Sequence, residues 1–259
     1  MFHAMIFTAI TISILMLSVW ILSVILKDAS IVDIVWGLGF VLVSWVLLLS
    51  LHEDRPRQWL LTIMVTVWGL RLAGYLAKRN LGHGEDFRYR AMRKKYGPKF
   101  PLISLVTVFA LQGCLMFVVS LPVQLGQADK SPSVGPLGAM GVMVWIIGLA
   151  FEAIGDAQLA KFKRNPDNAS KVMNQGLWSL TRHPNYFGDA LLWWGIGIVA
   201  AESGSGAWGL IGSAAMTYLL MRVSGVPMLE YSLKKRREGY AEYIARTNAF
   251  FPGPPKKTV

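Results

Sequence analysis

The chain has 259 residues, of which 54% are hydrophobic and 16% charged, against about 25% charged in ordinary soluble domains. Its 26 Lys and Arg outnumber 15 Asp and Glu, a net charge of +11. This balance excludes a disordered or collagen-like chain and argues against a typical soluble enzyme. Long stretches without charge point instead to a polytopic membrane protein. The single cysteine, Cys114, permits no internal disulfide and, lying in an apolar run, is expected to be a small core side chain.

A spanning helix needs about 20 mostly apolar residues. Seven candidates follow in chain order: Ala4–Leu26, Ile31–Leu51, Trp59–Ala77, Leu102–Leu125, Pro136–Leu159, Phe187–Ala201 and Ala207–Leu229. The first lacks the charged start and small-residue cleavage site of a signal peptide and reads as a span. Three long connecting segments, Lys78–Pro101, Ala160–Tyr186 and Glu230–Val259, hold 8, 5 and 7 Lys or Arg. Those of opposite parity hold only Arg55, Arg57 and Lys130. The positive-inside rule then places the N-terminus outside and the C-terminus in the cytoplasm. The expected fold is an all-α membrane protein of seven transmembrane helices, one integral domain over residues 1–259. The basic residues are explained by topology, and no zinc-finger, RNA-binding or basic-zipper pattern is present, so nucleic acid is not an expected partner.

Ionisable groups inside a bilayer are costly and are functional candidates by default. Asp33 opens the second span. It reads either as a carboxylate favoured by the helix dipole or as a buried neutral acid able to donate a proton. Trp68, Arg71 and Tyr75 share a face of the third span, leading into Lys78 and Arg79, and suggest a polar cavity wall. Glu152 and Asp156, four residues apart on the fifth span, repel unless bonded. They suit ribose-like hydroxyls or a cation, and Lys161, Lys163 and Arg164 follow.

The densest polar stretch is Thr181-Arg182-His183-Pro184-Asn185-Tyr186-Phe187-Gly188-Asp189. A helix start flanked by Arg, His and Asn also suits an anionic phosphate. Arg222 and Glu230 bracket the end of the seventh span. Lys234-Lys235-Arg236-Arg237, beyond it, reads as a positive-inside flank or anionic-lipid patch. The four histidines have no metal spacing, and no metal is expected. The polar clusters gather at the cytoplasmic ends, and the outer halves read as apolar. That describes a cavity open to the cytosol, which a lipophilic ligand enters from the bilayer.

The stretch Gly176–Asp189, with Glu230–Pro252, Val67-Trp68-Gly69-Leu70-Arg71-Leu72, Arg79-Asn80 and Glu85-Asp86-Phe87-Arg88-Tyr89, resembles the steroid 5-alpha-reductase family, most closely its bacterial membrane members. The resemblance covers about residues 31–252. It implies NADPH-dependent reduction of the carbon–carbon double bond of a conjugated enone in a steroid or steroid-like lipid, in a bacterial inner membrane with the cofactor site facing the cytoplasm. It also implies that Asp33 holds the ketone oxygen, with Tyr75, and Trp68 at the place where the family carries tyrosine, as its catalytic neighbours. NADPH contacts are implied at Arg71, Arg79, Glu152, Asp156, Lys163, Arg182, His183, Asn185, Tyr186, Asp189, Arg222 and Glu230. Such chemistry needs a donor aimed at the oxygen on which charge develops. The Arg-His-Pro-Asn-Tyr box is shared with isoprenylcysteine carboxyl methyltransferases, so the alternative is an S-adenosylmethionine-dependent lipid or prenyl-cysteine methyltransferase. A non-enzymatic lipid-binding protein or transporter is the third reading. The sequence sets no oligomeric state, and a monomer accounts for it.

Overall fold

The computed structural model describes residues 1–51, 55–130, 134–223, 225–226, 229–231, 233, 237 and 239–256. Of the Lys234-Lys235-Arg236-Arg237 run, the first three residues lie outside the described residues. The described chain is helical, and five of its helical segments are long and apolar enough to cross a membrane: Phe2–Leu26, Ile31–Leu51, Pro56–Asn80, Phe87–Val119 and Pro136–Arg164. This is the pattern of a multi-pass integral membrane protein. The chain divides into two compact units, residues 1–138 with 196–212, and residues 139–195 with 213–259.

The first unit is built on α1 (Phe2–Leu26), α2 (Ile31–Leu51) and α3 (Pro56–Asn80). On α1 a single seam is buried, Ala4, Thr8, Ile12, Met16, Val19 and Ser23, which is the three-to-four-residue period of one helix face. The other faces expose Ile10, Ile14, Leu17, Ile21 and Ile25. A helix apolar all round has no polar side to give to water and belongs in hydrocarbon. It ends at Lys27, whose φ of 54° is the left-handed cap conformation and whose N–H returns to the Ser23 and Val24 carbonyls.

Helices α2 and α3 pack backbone to backbone where Gly37 meets Gly69. A Cβ on Gly37 would stand 2.7 Å from the Gly69 carbonyl oxygen. Small residues permit this close approach, as membrane helix pairs commonly require. Pro56 opens α3 at a position where its missing N–H costs nothing. The side chain of Gln58 accepts from the Arg55 backbone N–H at 3.2 Å.

The expected basic connection after α3 contains a helix, α4 (Phe87–Tyr96). Asp86 caps it by accepting from the Arg88 N–H at 2.9 Å, and Gly97 with φ 53° ends it. The expected fourth span is broken. It runs as α5 (Phe100–Ser104), a π turn (Leu105–Ala110), α6 (Leu111–Val119) and then α7 (Leu121–Ala128). Pro122 sits in the first turn of α7, where the chain restarts after Ser120.

The ends expected to be apolar hold a buried polar network instead. Gln58 Nε2 donates to the Gln127 carbonyl at 2.8 Å. Gln127 Nε2 donates to Thr62 Oγ1 at 2.9 Å and to the Ser44 carbonyl at 3.2 Å. Asp129 accepts from Ser205 and faces Arg57 at 3.7 Å. Buried amides and hydroxyls survive in such a place because they bond one another.

The second unit is built on α8 (Pro136–Arg164), from Ala139 onward, and on the first part of α10 (Pro184–Ala201). The short α9 (Leu177–Leu180) precedes α10, and α11 (Leu210–Tyr218), a π turn (Leu219–Val223) and α12 (Tyr240–Arg246) follow. The sixth expected span is the 18-residue α10. Asn185, Tyr186 and Asp189 on its first turns keep it out of the strongly apolar class. The seventh is interrupted by the π turn, and its remainder is only partly among the described residues.

Candidate functional site

Helices α8 and α10 touch through glycines. A Cβ on Gly148 would lie 2.7 Å from the Gly188 carbonyl oxygen, and one on Gly195 would lie 2.7 Å from that of Gly141. With no side chains between them, polar groups on the facing surfaces are pressed together. Glu152 and Asp156 of α8 are 3% and 4% exposed, and Asp189 of α10 is 8% exposed. Asn185 Nδ2 donates to Asp156 Oδ1 at 3.1 Å. Three buried carboxylates and an amide on one helix pair give this unit an acidic interior. Charge of that kind is costly to bury and stays only where hydrogen bonds or a cation compensate it.

The turn before α10 is tied to the C-terminal segment. The Arg182 N–H donates to the Asn248 carbonyl at 2.9 Å, and the Gly253 N–H to the Leu180 carbonyl at 3.0 Å. Thr181 Oγ1 donates to the Phe250 carbonyl at 2.8 Å. Behind this seam Tyr243 donates its hydroxyl to the Trp178 carbonyl at 2.5 Å, and Trp178 Nε1 donates to the Gly155 carbonyl at 3.1 Å. Burial first, then the nearby Tyr240, pushes the Tyr243 phenol up, so its hydroxyl stays a donor.

Arg182 is occupied within the protein. Its Nε and Nη2 both reach Glu230 Oε1 at 2.7 Å. Its Nη1 donates to the carbonyls of Ile244 at 3.2 Å and Thr247 at 2.5 Å. His183 Nε2 lies 3.3 Å from the same Glu230 oxygen, and its ring stacks on Tyr186 at 5.5 Å between centroids and 7° between planes. Burial would raise the Glu230 carboxyl, but the hydrogen bonds from His183 and Arg182 and the Arg182 charge prevail and hold it at about 2.

The second unit thus holds Glu152, Asp156, Lys163, Arg182, His183, Asn185, Tyr186, Asp189, Arg222 and Glu230. It joins Asn185 to Asp156, and Arg182 and His183 to Glu230, with Tyr186 stacked on His183. Lys163 near the end of α8 and Arg222 on the π turn are exposed.

Asp33, Trp68, Arg71, Tyr75 and Arg79 belong to the first unit. Asp33 accepts from Arg88 Nη2 at 2.6 Å and from the Tyr89 hydroxyl at 2.8 Å. Both side-chain oxygens of Asp33 are thus bonded to residues of α4. Trp68 is fully buried and packs edge-on against Phe40, 5.5 Å between centroids. Arg71 and Tyr75 are half-buried on α3, and the Arg79 guanidinium lies 5.9 Å from the Tyr75 ring centroid.

Sequence reasoning passed over Arg88 and Tyr89 as partners of Asp33, and Glu85, which binds Arg93 at 2.8 Å and accepts from the Ala29 N–H at 2.8 Å. Burial acts upward on Glu85 and Asp86. Their arginine and backbone hydrogen bonds outweigh it and lower both carboxyls. The available signal was Asp86, a capping residue ahead of a basic but helix-forming run.

No solved structure matches this chain. Over 105 residues it is 30% identical to the probable O-methyltransferase ustE of Ustilaginoidea virens, a stretch covering 40% of this chain and 36% of that protein. The match therefore spans about a third of the length of that curated relative. A family model described as "Protein of unknown function (DUF1295)" matches residues 19–247, and the chain belongs to that family.

Proposed function

We propose that this protein is a membrane-embedded methyltransferase that uses S-adenosylmethionine to methylate an oxygen of a lipophilic acceptor. The observation that carries this reading is the acidic interior of the second unit. S-Adenosylmethionine presents a sulfonium, an ammonium and a ribose diol. Carboxylates accept from the diol and attract the cations, so Glu152, Asp156, Asn185 and Asp189 are the residues that would hold it. Bound there, it supplies an electrophilic methyl group.

The same buried surface favours a cationic ligand over the anionic phosphates of NADPH. A pyrophosphate and a 2′-phosphate need cations with free donors. Among the described residues of this unit Arg182 is the buried guanidinium, and Glu230, Ile244 and Thr247 already take its donors. The name of the partly matching relative agrees with the methyltransferase reading. By the positive-inside rule the basic connections and the box at Arg182 face the cytoplasm, where the methyl donor is dissolved, and the acceptor arrives from the bilayer.

The test is isothermal titration of the full chain in lipid nanodiscs with S-adenosylmethionine and, separately, NADPH. Micromolar binding of the first and none of the second is expected. NADPH binding without S-adenosylmethionine binding, followed by NADPH oxidation on a 3-keto-4-ene steroid, overturns the proposal in favour of a reductase.

A further inference from the structure

The His183–Glu230 pair has a chemical use that methyl-donor binding does not require. Glu230 is a carboxylate held ionised by Arg182, and an ionised carboxylate only accepts. The His183 nitrogen that faces it, Nε2, therefore carries hydrogen. In the neutral ring the second nitrogen, Nδ1, then bears the lone pair. Among the described residues Nδ1 makes no hydrogen bond. The stack on Tyr186 fixes the ring plane, and the residue as a whole is 2% exposed. An imidazole oriented by a carboxylate through one nitrogen and free at the other is the arrangement of a general base.

We infer that His183 is the base that deprotonates the acceptor, and hence that the acceptor's nucleophile is an acidic hydroxyl, phenolic or enolic, rather than a carboxylate. The inference rests on the methyltransferase reading. A carboxyl group is already ionised at neutral pH and gains nothing from a base. A hydroxyl oxygen must lose its proton as it attacks. The proton passes to His183 Nδ1, and the oxygen's electron pair forms the new bond to the methyl carbon. The carbon–sulfur bond breaks with its pair remaining on sulfur. The products are the methyl ether, S-adenosylhomocysteine and an imidazolium whose charge faces Glu230. An imidazole is too weak a base for a simple alkanol, and that mismatch selects the more acidic hydroxyls.

The experiment uses the full chain in nanodiscs, S-adenosylmethionine with a labelled methyl group, and two acceptors of equal tail, 4-dodecylphenol and 4-dodecylbenzoic acid. The phenol is expected to be methylated at least about 10-fold faster. His183→Gln keeps a donor toward Glu230 and removes the base. It should slow methylation of the phenol about 100-fold while S-adenosylmethionine affinity by calorimetry stays within about twofold. A ring-tetrafluorinated dodecylphenol, already ionised at neutral pH, should be methylated by the variant nearly as fast as by the parent. Preference for the benzoate overturns the inference and leaves the methyltransferase reading standing. So does equal slowing of both phenols in a variant that still binds the methyl donor. Absence of S-adenosylmethionine binding in the parent chain overturns both. If the variant does not fold, the parent's choice between phenol and benzoate still decides.

Discussion

A Cβ on Gly188 would stand 2.6 Å from the carbonyl oxygen of Gly148, so α8 and α10 meet backbone to backbone at this pair. Neither atom belongs to a flexible side chain, and neither can move without displacing a helix. Gly188→Ala is therefore expected to lower stability by about 1–3 kcal/mol, the usual cost of overpacking, and to weaken S-adenosylmethionine binding. Gly74 is the control. It lies exposed on α3 with nothing within 4 Å of a Cβ, so Gly74→Ala should be neutral or gain up to about 1 kcal/mol from helix propensity. Thermal unfolding of both variants in the same detergent checks this, and equal effects of the two would rule out the close crossing.

The Glu230 carboxyl makes acid stability testable. Its pKa in the folded protein is about 2, against an ordinary 4.5. A depressed carboxyl contributes stability that is present above its ordinary value and lost as pH falls toward the folded one. Melting between pH 6 and pH 3 should therefore show a loss beginning near 4.5. Glu85 and Asp86 slope the same way, so the diagnostic quantity is the difference between the parent and Glu230→Gln. The variant should melt lower at pH 6, because Arg182 is left buried without its carboxylate. The gap should close toward pH 3, and a gap constant with pH contradicts the assignment.

The local signals in the sequence were the legible ones. Apolar length marks α1, α2, α3 and α8, and the Arg182-His183-Pro184-Asn185 box marks the start of α10 because its residues act within one turn. What stayed hidden depends on pairing between distant residues. Asp33 and Arg88 are 55 positions apart, and Gln127 and Ser44 are 83 apart. A carboxylate at a helix start has the same sequence signature whether it donates a proton or accepts from an arginine. Glutamines at α7 looked compatible with an apolar end because single amides are tolerated anywhere. The bonding of Gln127 to Gln58, Thr62 and Ser44 appears only when α2, α3 and α7 are packed. Pro122 was the available signal for the break of the fourth span, which was expected to run unbroken to Leu125, but the π turn at Leu105–Ala110 has no residue that announces it.

The Asp33–Arg88 pair calls for a double-mutant cycle. Arg88 also binds Asp86 at 2.9 Å, and the side chains of Asp33 and Arg88 are 18% and 37% exposed. Solvent screens such a pair, so the coupling should be modest, about 1 kcal/mol. Asp33→Asn and Arg88→Met should each lower the melting temperature, and together they should cost less than the sum of the two. Strict additivity would show that the pair carries no energy of its own.

The acidic interior is tested most directly at Asp156. Asp156→Asn keeps the side chain's size and leaves an oxygen to accept from Asn185, so the fold should hardly change and the melting temperature should move by no more than about 2 °C. What disappears is the negative charge and its capacity for charge-assisted bonds to a ribose hydroxyl, each worth about 1.5–3 kcal/mol. S-Adenosylmethionine affinity should therefore fall about 10- to 100-fold in calorimetry. Substituting a neutral sulfur for the sulfonium, as in S-adenosylhomocysteine, separates the two sources of that loss. If the carboxylate acts mainly on the ribose, the variant weakens both ligands alike. If it acts mainly on the cation, only S-adenosylmethionine suffers. Unchanged affinity for both would move the methyl-donor site away from α8.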